Sequence, residues 1–305
     1  MGYATPEVLV DTEWVATHTP DEDIRIIEVD YDPENAYRKG HISGAILMRW
    51  KSDINDSQSR NILSSEQFEA LMSRNGITPD TCIVLYGDFN NWFATFALWV
   101  FKIYGHKDVR IMNGGRKKWE LEGRPYDIEE PEVPTTRYLK IRMGHVSGTY
   151  HAEEPQVPTT QYKTAGHAPE LRAFRSDVAD MLGKDNARLV DVRSPPEFRG
   201  EVSAPGEYPT EGAQRAGHIP GAINIPWLRA VNDEDGTFKS AAELRKLYES
   251  AGITPDKDVV AYCRIGERSS HTWFVLKYLL GYPNVVNYDG SWSEWGNSVG
   301  APVER

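Results

Sequence analysis

The stretch Val259-Val260-Ala261-Tyr262-Cys263-Arg264-Ile265-Gly266-Glu267-Arg268-Ser269-Ser270 sets a lone cysteine behind a short apolar run, with arginines one and five places after it. A cysteine there is a candidate nucleophile. If the apolar run is a strand, the following run with Trp273, Phe274, Leu276, Leu279 and Leu280 reads as a helix, capped by Ser269 or Ser270 and stopped by Gly281. Cys263 to Arg268 is then the turn from a strand's C-terminal end into a helix N-terminus, where ligand crevices form in open α/β sheets. Backbone N–H groups and the positive helix end would lower the thiol pKa below its free value of about 8.5. The expectation is a thiolate at neutral pH, at the mouth of a crevice rather than in the core. Arg264 and Arg268 add donors suited to an oxyanion, so the expected substrate is a small anion.

The elements that must hold this turn occur twice. Gly40-His41-Ile42-Ser43-Gly44-Ala45-Ile46 returns as Gly217-His218-Ile219-Pro220-Gly221-Ala222-Ile223, Gly76 to Asp80 returns unchanged as Gly252 to Asp256, and Asn113-Gly114 leading to Trp119 corresponds to Asp289-Gly290 leading to Trp295. Duplication is the economical reading. In each half, runs of strand length (Ile24 to Asp30 and Cys82 to Tyr86; Arg188 to Val192 and Val259 to Tyr262) alternate with helical patterns such as Ser64 to Met72 and Ala241 to Ser250. That alternation predicts an α/β fold with two mostly parallel sheets, each flanked by helices on both faces. Between the halves, Asp127 to His167 is rich in Glu, Pro and Thr, a linker composition in which Tyr138 to Met143 could still add a strand. In the first half Gly87 stands where the second has Cys263, and Asp88 to Trp92 supplies no arginine. That copy lacks a nucleophile and an anion cradle.

Such sites resemble those of the rhodanese and Cdc25 phosphatase superfamily, whose two chemistries differ in loop length. A cysteine phosphatase cradles phosphate in Cys-x5-Arg, whereas Cys263 to Arg268 is Cys-x4-Arg, a tighter ring better suited to a single sulfur held as a persulfide. Gly217 to Ala222 is similar to the first rhodanese signature and Val286 to Trp295 to the C-terminal one, so the chain resembles a tandem-domain rhodanese, a thiosulfate sulfurtransferase, over nearly its full length. The resemblance implies an inactive rhodanese-like domain over 1–128, a linker over 129–168 and a catalytic domain over 169–305. It implies that Cys263 takes the outer sulfur of thiosulfate and passes it to cyanide or a thiol, with no cofactor and no metal. Arg264, Ile265, Gly266, Glu267, Arg268 and Ser269 would bind the donor, with Tyr31 as an aromatic wall from the other domain. The chain departs from the animal pattern in having Ile265 where that loop is basic, and Glu197 where the family has an arginine; Arg193 or Arg199 could substitute. Arg264, in place of the glycine of mercaptopyruvate-preferring loops, favours thiosulfate. A 3-mercaptopyruvate sulfurtransferase, a Cdc25-type phosphatase and a non-enzymatic persulfide carrier are the competing readings.

The rest of the sequence narrows the setting. A net charge of −11 argues against a nucleic-acid surface, and the apolar run Trp92 to Phe101 is too short to span a membrane, reading instead as a buried helix. Two cysteines without a CxxC pair, and an N-terminus with no secretory pattern, suggest reduced thiols in the cytoplasm. The sequence leaves the oligomeric state unassigned. Cys82, matching Asp258 of the other half, reads as a packing residue. His41 and His218, present in both halves, read as structural. Asp191 is expected to hold the loop or balance nearby arginine, and His271 to lie on the helix surface or cap it. The tryptophans of 92–99 and 292–295 read as core and domain packing.

Overall fold

The computed structural model describes residues 2–128, 160–203 and 212–305. In the first half the strands are β1 (Leu9–Val10), β2 (Ile24–Asp30), β3 (Ile46–Arg49), β4 (Cys82–Tyr86) and β5 (Val109–Met112), with helices α1 (Thr12–His18), α2 (Ser65–Arg74), α3 (Trp92–Ile103) and α4 (Gly115–Leu121). The second half carries β6 (Ala187–Asp191), β7 (Ile223–Asn224), β8 (Asp258–Tyr262) and β9 (Val285–Tyr288), with α5 (Arg175–Met181), α6 (Pro195–Phe198), α7 (Ala241–Glu249), α8 (Glu267–Phe274) and α9 (Ser291–Trp295). Among the described residues the strand orders are β1-β5-β4-β2-β3 and β7-β6-β8-β9, with every pairing parallel.

Parallel strands buried on both faces must be apolar throughout, and alternate side chains here enter different cores. Ile27, Val29, Ile83 and Leu85 face one side of the first sheet, Ile26, Val84 and Tyr86 the other. Val190 and Val259 likewise oppose Leu189, Val260 and Tyr262 in the second. The near sides of both sheets belong to one continuous core, joined where α3 packs on α8. Thr95, the polar interruption in the apolar run, meets Ser270 of α8 at 3.2 Å between their hydroxyls. That run is the buried helix expected, and no helix of the described residues is long and apolar enough to cross a membrane.

Two of the helix starts follow the local signals. Ser64 and Gln67 form a reciprocal capping box on α2, and Ser240 with Glu243 repeats it on α7. The second-half strand begins one residue before the predicted Arg188, because Ala187 pairs with Asp258. Most of the 129–168 segment, including Tyr138 to Met143, lies outside the described residues. Its last part lies against the first domain, where Tyr162 is buried between Phe68 and His106 and Thr160 donates to the Ile77 carbonyl.

Candidate active site

β8 delivers Cys263 at its C-terminal end, and α8 starts four residues later. The helix cap is Gly266, not Ser269 or Ser270, which lie inside the first turn of α8. Gly266 has φ +103°, and a Cβ there would lie 2.8 Å from Asp289 Cα, so the turn requires glycine. The Gly266 N–H donates to Cys263 Sγ at 3.1 Å and the Ser269 hydroxyl at 3.6 Å, while the thiol donates to Glu267 Oε2 at 3.3 Å. The C-terminal signature segment supports the turn from behind. Ser291 Oγ accepts the Cys263 N–H at 3.0 Å, Trp292 and Ser293 donate their N–H groups to the Cys263 and Arg264 carbonyls, and Asn287 Oδ1 accepts from Ser269.

The electrostatics correct two expectations. Cys263 is 0% exposed and sits in the shared core, not at a mouth, and its thiol is raised above the ordinary range, by burial first and by Glu267 second, with Arg268 opposing. Desolvation outweighs the helix end, so the resting group is a thiol. The arginines are also engaged. Arg264 reaches Glu267 at 3.3 Å, and Arg268 makes a two-pronged pair with Glu197 at 3.0 and 3.1 Å, with Glu267 at 3.6 Å from its Nε. Burial pushes Glu197 up, yet Arg268 and Ser194 outweigh it and bring its pKa to about 2. Two cations therefore face two carboxylates, and the loop is charge-balanced rather than an open anion cradle. Glu197 stands in the family's arginine position as the partner of Arg268. Arg193 is committed to Asp191, which it binds at 2.6 Å, and to the Gly217 carbonyl; Arg199 pairs with Glu201. Asp191 thus balances Arg193. Tyr31 stacks on Phe93, leans on Trp50 and carries Lys51 over its face, within the aromatic cluster of the first domain.

The first-half copy shows what the second retains. Gly87 N–H is held by Asn91 Oδ1 at 3.0 Å, and Phe89, Asn90 and Asn91 follow with left-handed φ of 47°, 52° and 67°. A Cβ on Gly87 would lie 2.7 Å from the Val29 carbonyl oxygen, so this turn cannot hold a cysteine without moving β2. Gly115 takes the place of Ser291, and Arg116 N–H binds the Gly87 carbonyl as Trp292 N–H binds that of Cys263.

The repeated Gly-His-Ile turns do the same work in both halves. The Ile42 and Ile219 N–H groups bind the hydroxyls of Tyr86 and Tyr262 at 3.0 and 3.1 Å. His41 stacks on Tyr37 with Nδ1 at the Tyr37 carbonyl, and His218 stacks on Phe198 with Nδ1 at the Phe198 carbonyl. These are structural roles. His271 departs from its expectation: it is 0% exposed, wedged between Phe238 and Trp227, and burial lowers its pKa to about 3. The α8 surface position it would have occupied is covered by Trp227 and Phe238, from the segments between β7 and α7. Cys82 packs in the far core of the first domain, its thiol pushed up to about 12 by burial.

Sequence reasoning missed Ser291, Asn287 and the pairing of Glu197. Ser291 and Asn287 lay within the signature, and comparing Ser291 with Gly115 across the repeat was an available signal. Nothing local marked Glu197 as the partner of Arg268, 71 residues away.

Residues 11–122 and 174–298 each match the rhodanese-like domain. The chain is 54% identical over 308 residues to the sulfur carrier protein TtuD of Thermus thermophilus, covering 100% of this chain and 99% of that one. It is 50% identical over 299 residues to a protein of Saccharopolyspora erythraea named "Putative thiosulfate sulfurtransferase", covering 98% and 96%. A solved structure of EanB with a cysteine persulfide, in a tetrahedral intermediate state with ergothioneine, aligns with a TM-score of 0.79 at 26% identity, covering 99% of this chain and 71% of that one.

Proposed function

This chain belongs to the rhodanese family, and from that membership we propose that it is a thiosulfate sulfurtransferase carrying sulfur as a persulfide on Cys263. One observation carries the reading: a single cysteine sulfur lies in the turn into α8, which aims the Gly266 N–H and the Ser269 hydroxyl of the helix's first turn at it. The Cys263 thiol loses its proton to solvent, the thiolate attacks the outer sulfur of thiosulfate, the S–S bond breaks, and sulfite leaves with the bonding pair. The persulfide anion inherits the two donors that faced the thiolate. An acceptor thiolate or cyanide then attacks the outer sulfur, and Cys263 is released to recover its proton. Each step balances without a cofactor or metal.

Phosphatase chemistry is disfavoured because Cys263 to Arg268 is Cys-x4-Arg, one residue shorter than the Cys-x5-Arg loop that cradles a phosphate. Intact mass spectrometry tests the main reading: thiosulfate adds one sulfur at Cys263, and an unchanged mass overturns it. Comparing donors tests specificity, and faster turnover of 3-mercaptopyruvate overturns the thiosulfate assignment. A second reading, a carrier that serves protein acceptors, is favoured by the 54% identity to the sulfur carrier protein TtuD. It predicts loading by thiosulfate with no discharge by cyanide. The two free, buried cysteines support the reading of a reducing cytoplasm.

A further inference from the structure

The first domain reaches into the turn. Arg60 Nη2 donates to the Ile265 carbonyl at 2.6 Å and to the Asp289 carbonyl at 3.2 Å. The Ile265 carbonyl and the Gly266 N–H belong to one peptide unit, and that N–H is the one 3.1 Å from Cys263 Sγ. A planar peptide held at its oxygen has its N–H direction fixed, and a cation at the oxygen polarises the N–H opposite. We infer that Arg60 is a positioning residue, supplied by the inactive domain, that holds and polarises the Ile265–Gly266 peptide so that its N–H stabilises the sulfur anion on Cys263.

Three features support this. Arg60 itself has φ +57°, a left-handed conformation that non-glycine residues rarely adopt. The turn imposes it: the Asp56 N–H donates to the Asn61 carbonyl and the Arg60 N–H to the Asp56 carbonyl, and Asp56 Oδ1 accepts from the Ser59 N–H and hydroxyl at 2.8 Å each. Asn61 Oδ1 next accepts from Arg172, whose guanidinium makes a two-pronged pair with Asp289 at 2.8 Å. Asp289 in turn is the residue that crowds Gly266. The Asp56–Asn61 turn therefore fixes the peptide from both sides.

This inference rests on Cys263 being the nucleophile, and the test separates the two. The charged groups about the sulfur are Glu267, Arg264, Arg268 with Glu197, and the Arg172–Asp289 pair, none of which is altered in the variants. Alkylation of Cys263 by iodoacetamide is followed across about pH 7 to 11.5 by peptide mass. Arg60→Ala is expected to move the midpoint upward by about half to one pH unit, since removing a donor from the anion raises its pKa. Arg60→Lys restores part of the shift and also replaces the alanine variant should that fail to fold. A midpoint equal to that of the unaltered protein, with only the plateau rate or melting temperature changed, makes Arg60 a domain fastener and overturns the inference. Should thiosulfate add no sulfur to the unaltered protein, the sulfurtransferase reading falls while the midpoint comparison still decides Arg60.

Discussion

At the scale of single residues, the site is organised around a sulfur that burial holds protonated. Because the Cys263 thiol is raised, its reactivity toward thiosulfate should climb with pH through and beyond the ordinary thiol range near 8.5. Stopped reactions analysed by mass at stepped pH check this, and a rate already flat below neutrality contradicts it. The Arg268–Glu197 pair makes an opposing prediction for affinity and stability. Glu197→Gln leaves buried Arg268 with only its longer contact to Glu267, already shared with Arg264, which costs about 3 kcal/mol of stability but presents a net cation to thiosulfate. The expected outcome is a lower melting temperature together with a lower KM. His271 carries a pH signature. Its folded pKa is about 3 and its unfolded value about 6.5, so the unfolded state binds the extra proton between them, and stability is complete above about 6.5 and lost as pH falls toward 3. His271→Phe should therefore narrow the stability gap between about pH 7 and 4.5 by about 2 kcal/mol, read by urea unfolding.

At the scale of elements, a nucleophile turn depends on the strand behind it. β8 and the segment after β9 are shaped together, with Ser291 binding the Cys263 N–H, while β4 ends against the Val29 carbonyl. Gly87→Cys should accordingly gain no sulfur from thiosulfate and should destabilise the chain by about 1 to 3 kcal/mol, as overpacking against backbone does. A second sulfur per chain would show the first-half turn to be more adaptable than its geometry. The element pattern was readable in advance because apolar runs of five residues, capping boxes and the duplicated turns each have a local physical cause. Gly266 as the cap was not, since its requirement comes from Asp289, in the turn after β9.

At the scale of the whole molecule, the two halves are not beads on a linker. α3 and α8 share one core, Tyr3 hydrogen-bonds to the Lys239 carbonyl, Phe238 N–H binds Asn113, and Trp92 packs edge-on against Trp227. Heating should therefore give a single calorimetric transition, and two resolved transitions would contradict a shared core.

The sequence by itself determined the fold class, the duplication, the position of the cysteine in its strand-to-helix turn and the loss of that cysteine in the first copy. Each of these is written in periodicity, turn chemistry or direct comparison of two segments. Only the tertiary structure decided how deeply Cys263 is buried, that Arg264 and Arg268 are already paired, that His271 is enclosed, and that Arg60 reaches the turn from the other domain. Those properties depend on desolvation and on partners many residues away, and burial and long-range pairing arise only when the chain has closed on itself.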